Sequence, residues 1–225
     1  MSLKRGPSVQ KPLVIFGAGS LGREILIMLH QINKAIPQWQ ILGFHDDDFN
    51  TPKKVQDYPY LGTSKDLQQY NKPVAVLIAV GNPVQKKEIR SKLDMPHLTF
   101  PPLIHSTVSN EAFQHNTIGE GTILCQGTIL TTNIKLGRQV LLNLGCTIGH
   151  DTIIHDYCAL MPQANISGNV VLEQGVYVGA NATVLPGIRI GENSIIGAGA
   201  VVTHPIPPHC TAVGVPARII KHHAE

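Results

Sequence analysis

IGHDTIIHDYCAL, residues 148–160, places an aliphatic residue at every sixth position: Ile148, Ile154 and Leu160. The same step runs without a slip from Ile118 to Val202, so that fifteen successive positions hold Ile, Leu or Val. A helix cannot keep every sixth residue on one face, and an alternating strand does not explain the glycines that often follow. Three six-residue repeats make one triangular coil in a parallel β-helix. The sequence therefore predicts a left-handed parallel β-helix of five coils over residues 105–206.

The last residues break this period. THPIPPHCTAVGVPARIIKHHAE, residues 203–225, contains three prolines within four positions, at 205, 207 and 208. Proline lacks the amide hydrogen that a strand donates to its neighbour. Residues 207–225 are therefore predicted to form a capping tail.

The first hundred residues follow another pattern. PLVIFGAGSLGREILIMLHQIN, residues 12–33, reads as an apolar strand, a glycine-rich turn and an amphipathic helix, and WQILGFHDDD and VAVLIAVGN read as two further strands. Alternating strands and helices predict a small parallel sheet, a Rossmann-like α/β domain over residues 11–104. Gly17–Ser20, Asp46, Asp47 and Gly81-Asn82 all follow strands, where ligands of such sheets bind.

The turn GAGSLG, residues 17–22, matches the phosphate-binding pattern G-x-G-x-x-G. It follows a strand and opens a helix, with acidic residues about two dozen positions later, a context that favours nucleotide binding over a purely structural turn. About 100 residues supply too few strands for a full dinucleotide fold, so a mononucleotide or nucleotide sugar fits better. The alternative for the acidic run 46–48 is a solvated strand end.

Two histidines interrupt the repeats. His150 comes two residues after an inward aliphatic position, near a corner where side chains point outward, and Asp151 beside it could orient the imidazole as a general base. The alternative is an exposed polar corner. His150 and His155 together suggest a zinc site. The positions equivalent to His155 in the preceding coils are Gly137 and Gly119, so a third zinc ligand is missing.

Composition excludes several classes of function. The formal net charge is +3 and no basic run is interleaved with aromatic residues, which argues against a nucleic-acid partner. No apolar run reaches the length of a membrane span, and the first ten residues lack the apolar core of a signal peptide, so a soluble cytoplasmic protein is expected. The four cysteines form no C-x-x-C pair and are expected to be small buried residues rather than metal ligands or disulfides.

Several motifs together resemble the NeuD-type sugar O- and N-acetyltransferases, hexapeptide-repeat enzymes that include N-acetyltransferases of UDP-linked 4-amino sugars. The matching segments are VIFGAGSLGREI, GFHDDD, LGTSKDL, AVGN, GEGTIL, NLGCTIGHD, ISGNV, IGAGAVVTHPIP and AVGVPARII. The resemblance implies an acetyl-CoA-dependent enzyme that acetylates an amino or hydroxyl group of a nucleotide-linked sugar and forms a homotrimer without a metal. One departure is Ala159, where many members carry a second histidine that contacts acetyl-CoA.

The resemblance also implies the roles of individual residues. His150 would be the general base, polarised by Asp151, and Asn143 would join the site. Two sets of residues would bind the substrates. The first set would contact acetyl-CoA through backbone groups, between neighbouring subunits, and the second set would line the nucleotide-sugar pocket. The first set is Gly168, Ala180 and Ala198; the second is Gly17, Ala18, Gly19, Ser20, Asp46, Asp47 and Gly62.

Spacing supports part of this independently. Gly168 follows His150 by three hexads, which is one full coil, and Ala198 follows Ala180 by the same interval, so each pair stacks at one corner. Two alternatives stay open at this point: a zinc enzyme like the γ-class carbonic anhydrases, and a nucleotide-sugar-binding scaffold without catalysis.

Overall fold

The computed structural model describes residues 10–48 and 50–223. These residues form two compact units, one made of the chain up to Val80 with Ile89–Pro101 and the other of Gly81–Glu88 with the chain from Pro102 onward. The predicted fold class, an α/β domain joined to a left-handed parallel β-helix, is confirmed. Within the described part of the chain, no helix is long and apolar enough to cross a membrane.

The first unit is built on a parallel sheet with the strand order β2-β1-β5-β6. A short antiparallel hairpin, β3 and β4, lies outside this sheet. The helix α3 is divided, because its first half packs with the second unit. The elements are β1 (Lys11–Phe16), α1 (Ser20–Ala35), β2 (Trp39–His45), β3 (Lys54–Val55), β4 (Tyr58–Pro59), α2 (Ser64–Gln68), β5 (Val74–Ile78), α3 (Pro83–Lys92) and β6 (Leu98–Thr99).

The glycine-rich turn between β1 and α1 has the predicted form. Gly17 has a φ of +109°, a conformation that favours glycine. A Cβ on Gly22 would overlap the carbonyl oxygen of Gly17, so only glycine lets α1 begin so close to the turn. Along α1 the buried residues recur every three or four positions, among them Ile25, Leu29 and Ile32, which is the apolar stripe of a helix packed on a sheet.

The second unit is a solenoid of two-residue strands and a C-terminal hairpin. Its strands are β7 (Leu103–Ile104), β8 (Thr117–Ile118), β9 (Ile123–Leu124), β10 (Ile129–Leu130), β11 (Lys135–Leu136), β12 (Leu141–Leu142), β13 (Thr147–Ile148), β14 (Ile153–Ile154), β15 (Ala159–Leu160), β16 (Asn165–Ile166), β17 (Val171–Leu172), β18 (Tyr177–Val178), β19 (Thr183–Val184), β20 (Arg189–Ile190), β21 (Ile195–Ile196), β22 (Val201–Val202), β23 (Cys210–Val213) and β24 (Arg218–His222).

These strands make three flat sheets around a triangular core. Face 1 contains β8, β11, β14, β17 and β20; face 2 contains β7, β9, β12, β15, β18, β21, β23 and β24; face 3 contains β10, β13, β16, β19 and β22. Successive coils pair in register at the predicted offset of three hexads, for example Ile148 with Ile166. The aliphatic residues of the hexads point inward, and most are fully buried. The predicted stacking is therefore confirmed.

Face 2 extends beyond the fifteen hexads at both ends. β7 pairs with β9, with Leu103 opposite Ile123, and β23 pairs with β21, with Ile195 opposite Thr211. The sequence offset between β7 and β9 is longer than three hexads, and the offset between β21 and β23 is shorter. A fixed six-residue period therefore does not predict β7 or β23. After Gly81–Glu88, the second unit continues from Pro102 onward, so β7 belongs to it. The predicted tail forms β23 and then β24, which returns antiparallel to it.

Candidate active site

His150 stands at the corner between faces 3 and 1, where the chain leaves β13. Its side chain is 57% exposed, and its Nδ1 lies 2.8 Å from Oδ2 of Asp151. Asp151 has a φ of +59°, and this left-handed turn brings its carboxylate beside the ring of its neighbour. From the preceding coil, Asn133 donates a hydrogen bond of 3.1 Å to the other oxygen of Asp151. The local chain and the coil below it therefore hold this pair together.

The electrostatics of the pair define the state of the imidazole. Hydrogen bonds from His150 and then Asn133 hold the pKa of Asp151 below its ordinary value, so the carboxylate is ionised at neutral pH. An ionised carboxylate only accepts hydrogen bonds, so Nδ1 of His150 carries the hydrogen. Nε2 of a neutral imidazole then keeps its lone pair and can accept a proton from a substrate.

Gly168 lies directly under the His150 ring, as its position one coil further along the chain predicts. A Cβ on Gly168 would lie 2.5 Å from Nε2 of His150 and 2.9 Å from its Cδ2. No side chain larger than hydrogen fits there without displacing the imidazole. Gly168 therefore supports the ring from the next coil.

Asn143 and the two alanines occupy another corner, between faces 2 and 3. The stacking of Ala180 under Ala198 is as predicted, and the Ala180 carbonyl accepts a hydrogen bond of 2.8 Å from Gly199. Asn143 is 7% exposed, and its Oδ1 accepts a hydrogen bond of 2.7 Å from the Leu144 amide. Within residues 10–48 and 50–223, its Nδ2 has no hydrogen-bond partner. Because the two corners are separate, one chain does not bring Asn143 to His150.

Face 2 carries a cavity that the sequence did not indicate. Its volume is about 480 Å³, and one wall is the segment that leads into α3. The other walls come from outward-facing residues of β18 and β21 and from the adjoining corners. It is lined by Gly81–Val84, Met161, Gly175, Tyr177, Asn193 and Ile195. Met161 is the counterpart of Asn143 one coil further on, so Asn143 lies at the same edge of face 2 as the cavity.

Ala159 is the position where many relatives carry histidine. It is fully buried and pairs with Leu141 on one side and Tyr177 on the other. It therefore presents no side chain to solvent in this chain.

In the first unit, the predicted nucleotide-binding residues converge through hydrogen bonds. The Ala18 amide donates to Oδ2 of Asp46 at 2.7 Å, and the Asp46 amide donates to the Gly62 carbonyl at 3.1 Å. Asp47 accepts a hydrogen bond of 2.8 Å from the Ser64 amide at the start of α2. Both carboxylates therefore bind the protein's own backbone, and the Ala18 amide already has a carboxylate partner.

Gly19 and Ser20 form the exposed part of the same turn. Gly19 has open space where a Cβ would be, so a ligand can approach its backbone closely. The first turn of α1 contains no acidic residue that would repel an anion.

His155 occupies the corner between faces 1 and 2 and thus does not share a site with His150. Its Nε2 lies 3.7 Å from Oε2 of Glu173, which also contacts Arg189. Among the residues that the structure describes, no group of three or more His, Cys, Asp or Glu side chains is arranged to hold a metal ion. The zinc hypothesis therefore gains no third ligand from the described residues.

The four cysteines are buried, as expected. Burial raises the pKa of Cys146 to about 11 and that of Cys158 to about 12. Thiols with such pKa values are hardly ionised at neutral pH and make poor nucleophiles.

A buried lysine is the other feature that sequence reasoning missed. Lys86, in the half of α3 that packs with the solenoid, is 1% exposed, and its Nζ lies 3.4 Å from the carbonyl oxygen of Gln139. Desolvation lowers the pKa of Lys86 to about 8. The side-chain amide of Gln139 is also buried and has no partner among the described residues. Nothing in PVQKKEI distinguishes Lys86 from the exposed Lys87.

Comparison with known proteins places both units in one family. Residues 12–93 match the PglD N-terminal domain, and residues 169–204 match the bacterial transferase hexapeptide, six repeats. A GDP-perosamine N-acetyltransferase of Escherichia coli O157:H7 is 32% identical over 214 residues, 92% of this chain and 95% of that one.

Two solved structures share the whole fold. The acetyltransferase domain of PglB from Neisseria gonorrhoeae, in complex with acetyl coenzyme A, superposes with a TM-score of 0.83 and 25% identity over 94% of this chain and 100% of that one. PerB from Caulobacter crescentus, in complex with CoA and GDP-perosamine, gives a TM-score of 0.84 and 24% identity over 95% and 99%.

The solenoid, its corner histidine and these matches define an acetyl-CoA-dependent sugar acetyltransferase of the hexapeptide class, as predicted. Within that class, the chain belongs to the family of the GDP-perosamine N-acetyltransferase. The resemblance seen in the sequence is thereby confirmed.

Proposed function

We propose that this enzyme transfers the acetyl group of acetyl-CoA to the amine of a nucleotide-linked 4-amino-dideoxy sugar, with His150 as general base. The observation that carries the proposal is the exposed imidazole whose Nδ1 is bound by Asp151 at 2.8 Å, which leaves Nε2 free for a substrate proton. The family relationship to a GDP-perosamine N-acetyltransferase supports an amine as the acceptor.

The chemistry is direct acyl transfer. The lone pair of the sugar amine attacks the thioester carbonyl, Nε2 of His150 takes a proton from that nitrogen, and the carbon–sulfur bond breaks as CoA leaves. The proton on His150 can then pass to the CoA sulfur, which restores the neutral imidazole. Asp151 stabilises the imidazolium while it exists. The high pKa values of Cys146 and Cys158 argue against a cysteine-bound intermediate.

The active site is expected to contain residues of two chains. In a triangular coil the corner between faces 3 and 1 lies opposite face 2, so His150 is directed away from the edge that holds Asn143 and the cavity of its own chain. If Asn143 and His150 act together, as the family resemblance implies, they must come from neighbouring copies. This geometry supports the predicted homotrimer, in which each copy would contribute one half of every site.

We expect acetyl-CoA and the nucleotide to contact different residues. Gly168 under His150 and the exposed corner of Ala180 and Ala198 are the proposed contacts of acetyl-CoA. In the first unit, Gly19 and Ser20 offer open backbone for the diphosphate. Gly17, Ala18, Asp46, Asp47 and Gly62 form the framework of that pocket. Ala18, Asp46 and Gly62 are linked by hydrogen bonds, Asp47 binds the Ser64 amide of α2, and the Gly17 amide donates to the His45 carbonyl. The cytoplasmic location stays a prediction from the sequence.

The test is a thiol-release assay with acetyl-CoA and a panel of UDP-, dTDP- and GDP-linked 4-amino sugars. Wild type should release CoA with one member of the panel. His150→Ala should lower kcat by a factor on the order of 10² to 10⁴, the usual contribution of a general base. Asp151→Asn should have a smaller effect in the same direction, because the ring remains but loses the carboxylate that binds its Nδ1.

His155→Ala is the matched control. His155 is also exposed and also precedes an aspartate, yet it lies at another corner, so its loss should leave kcat unchanged. Full activity in His150→Ala would refute the proposed base. Sugar binding without CoA release from any acceptor would favour the scaffold hypothesis, and stoichiometric zinc in the purified protein would favour the metalloenzyme.

A further inference from the structure

His45 is a buried polar side chain that the proposed mechanism does not use. It is the last residue of β2, is 1% exposed, and directly precedes Asp46 and Asp47. We propose that His45 is a positioning residue of the nucleotide pocket, and that its ring fixes the backbone of Gly62 and Thr63 beside these two carboxylates. This inference rests on the proposed function and assigns a role to a residue that is too buried to touch the substrate.

The hydrogen bonds of the His45 ring define a single tautomer. Nδ1 lies 3.1 Å from the carbonyl oxygen of Gly62 and 3.2 Å from that of Thr63. Because carbonyl oxygens only accept hydrogen bonds, Nδ1 carries the hydrogen and donates to both. Nε2 then accepts a hydrogen bond from the Tyr70 hydroxyl, 3.4 Å away. Burial lowers the pKa of His45 below its ordinary value, so the ring is neutral at pH 7 and both of its nitrogens have partners.

The backbone that His45 binds follows β4 and leads into α2. Gly62 has a φ of +111°, and a Cβ there would overlap the carboxylate of Asp66, so only glycine fits. Thr63 is the N-cap of α2, and its amide and hydroxyl both donate to Asp66. At this turn the carbonyl groups of two successive residues converge on one donor, Nδ1 of His45. The imidazole therefore joins the end of β2 to the start of α2.

The same segment holds both carboxylates in place. The Gly62 carbonyl accepts a hydrogen bond of 3.1 Å from the Asp46 amide, and the Ser64 amide donates to Oδ1 of Asp47 at 2.8 Å. Asp46 in turn accepts a hydrogen bond of 2.7 Å from the Ala18 amide in the glycine-rich turn. A shift of the segment would therefore move both aspartates and would reach the turn as well.

Asp47 is the part of this network that reaches solvent. Its side chain is 38% exposed, and its Oδ2 lies 3.7 Å from Nζ of Lys92. It follows the carboxyl end of β2, at the edge of a parallel sheet where ligands bind. A carboxylate accepts hydrogen bonds from the hydroxyl and N–H groups of a nucleoside but repels a diphosphate. The position of Asp47, which His45 helps to set, therefore bears on the nucleoside half of the substrate and not on acetyl transfer itself.

His45→Leu tests the role of the ring, because leucine is buried as readily but donates no hydrogen bond. With the acceptor of the panel that wild type acetylates, the KM of the nucleotide sugar should rise about 3- to 10-fold. The Kd of the matching nucleoside diphosphate, measured by calorimetry, should rise by the same factor. The kcat and the KM of acetyl-CoA should not change. Urea unfolding of each variant checks that all constants are measured on folded protein.

His45→Asn is the conservative variant, because its side-chain amide nitrogen takes nearly the position of Nδ1 and can donate to the same carbonyl groups. It should restore the KM and the Kd to within about 2-fold of wild type. Tyr70→Phe is the matched control. It removes the partner of Nε2 and leaves Nδ1 and its acceptors in place, so both constants should equal those of wild type.

The inference would be overturned by any of three results in these variants. Unchanged constants in His45→Leu would mean that the ring only fills space. A loss of kcat together with a higher KM of acetyl-CoA would mean that the variant loosens the whole protein. Equal losses in His45→Asn and His45→Leu would mean that the hydrogen on Nδ1 has no part in binding.

The proposed function can fail separately. If wild type acetylates no sugar of the panel, the proposed function fails, whereas the Kd values of UDP, dTDP and GDP for wild type and variants still decide the role of His45. Binding of none of these three diphosphates by wild type would overturn this inference too.

Discussion

Replacing the buried Lys86 by methionine should stabilise the protein at pH 7 and destabilise it at pH 10.5. Methionine has nearly the same length and is apolar, so it should fill the space under α3 without the cost of burying an ammonium group. Lys86 is 1% exposed, and among residues 10–48 and 50–223 its Nζ has one hydrogen-bond acceptor, the Gln139 carbonyl oxygen at 3.4 Å, so the charged form is poorly compensated.

The size of the effect follows from the pKa. Burial lowers the pKa of Lys86 from 10.5 to about 8, which corresponds to about 3 kcal/mol of cost for the charged form. Between pH 8 and 10.5 the unfolded chain binds more protons than the folded one, so wild-type stability rises with pH across this window and is lowest below it. The variant loses one hydrogen bond, a cost of about 1 kcal/mol. The balance is a gain of about 2 kcal/mol at pH 7 and a loss of about 1 kcal/mol at pH 10.5.

The assay is urea unfolding of wild type and Lys86→Met at pH 7 and pH 10.5, at one protein concentration so that association contributes equally. Lys87→Met is the control, because Lys87 is the next residue on the same helix and is exposed; its stability should follow wild type at both pH values. The reasoning would be refuted if Lys86→Met were less stable than wild type at pH 7, or if its stability rose with pH as steeply as that of wild type.

Three further predictions concern the glycine turn, the solenoid core and the cysteines. Gly22→Ala should destabilise the protein strongly, because the added Cβ would overlap the carbonyl oxygen of Gly17. Gly19→Ala should be nearly neutral, because there is open space for its Cβ. Thermal unfolding of both variants checks this contrast. Leu160→Ala should cost about 2–5 kcal/mol in urea unfolding, because the side chain is fully buried in the stack; a cost below about 1 kcal/mol would contradict the packing. Cys158 should resist iodoacetamide at pH 8 in the folded protein and react after unfolding in urea, as mass spectrometry of the modified peptides would show; modification in the folded state would contradict its burial and high pKa.

The solenoid could be predicted from the sequence because the environment of each inward residue repeats from coil to coil. Each inward position, such as Ile148, meets its equivalents one coil before and one coil after it, so the same requirement recurs at every sixth residue. The pairing of His150 with Asp151 and its stacking over Gly168 follow from neighbouring positions and from the same repeat. The turn GAGSLG is likewise local, and its glycines are explained by contacts within the β1–α1 connection.

Some features could be known only from the tertiary structure, because they depend on contacts between segments that the six-residue repeat does not relate. Lys86 is buried because the first half of α3 packs against a part of the solenoid that is remote from it in sequence, and the cavity beside Tyr177 has the start of the same helix as one wall. Asn143 and His150 are close in sequence, yet the triangular path puts them at different corners. The physical reason is the same in each case: a repeat specifies which residues face the core, while the packing of remote segments decides what covers the outer faces.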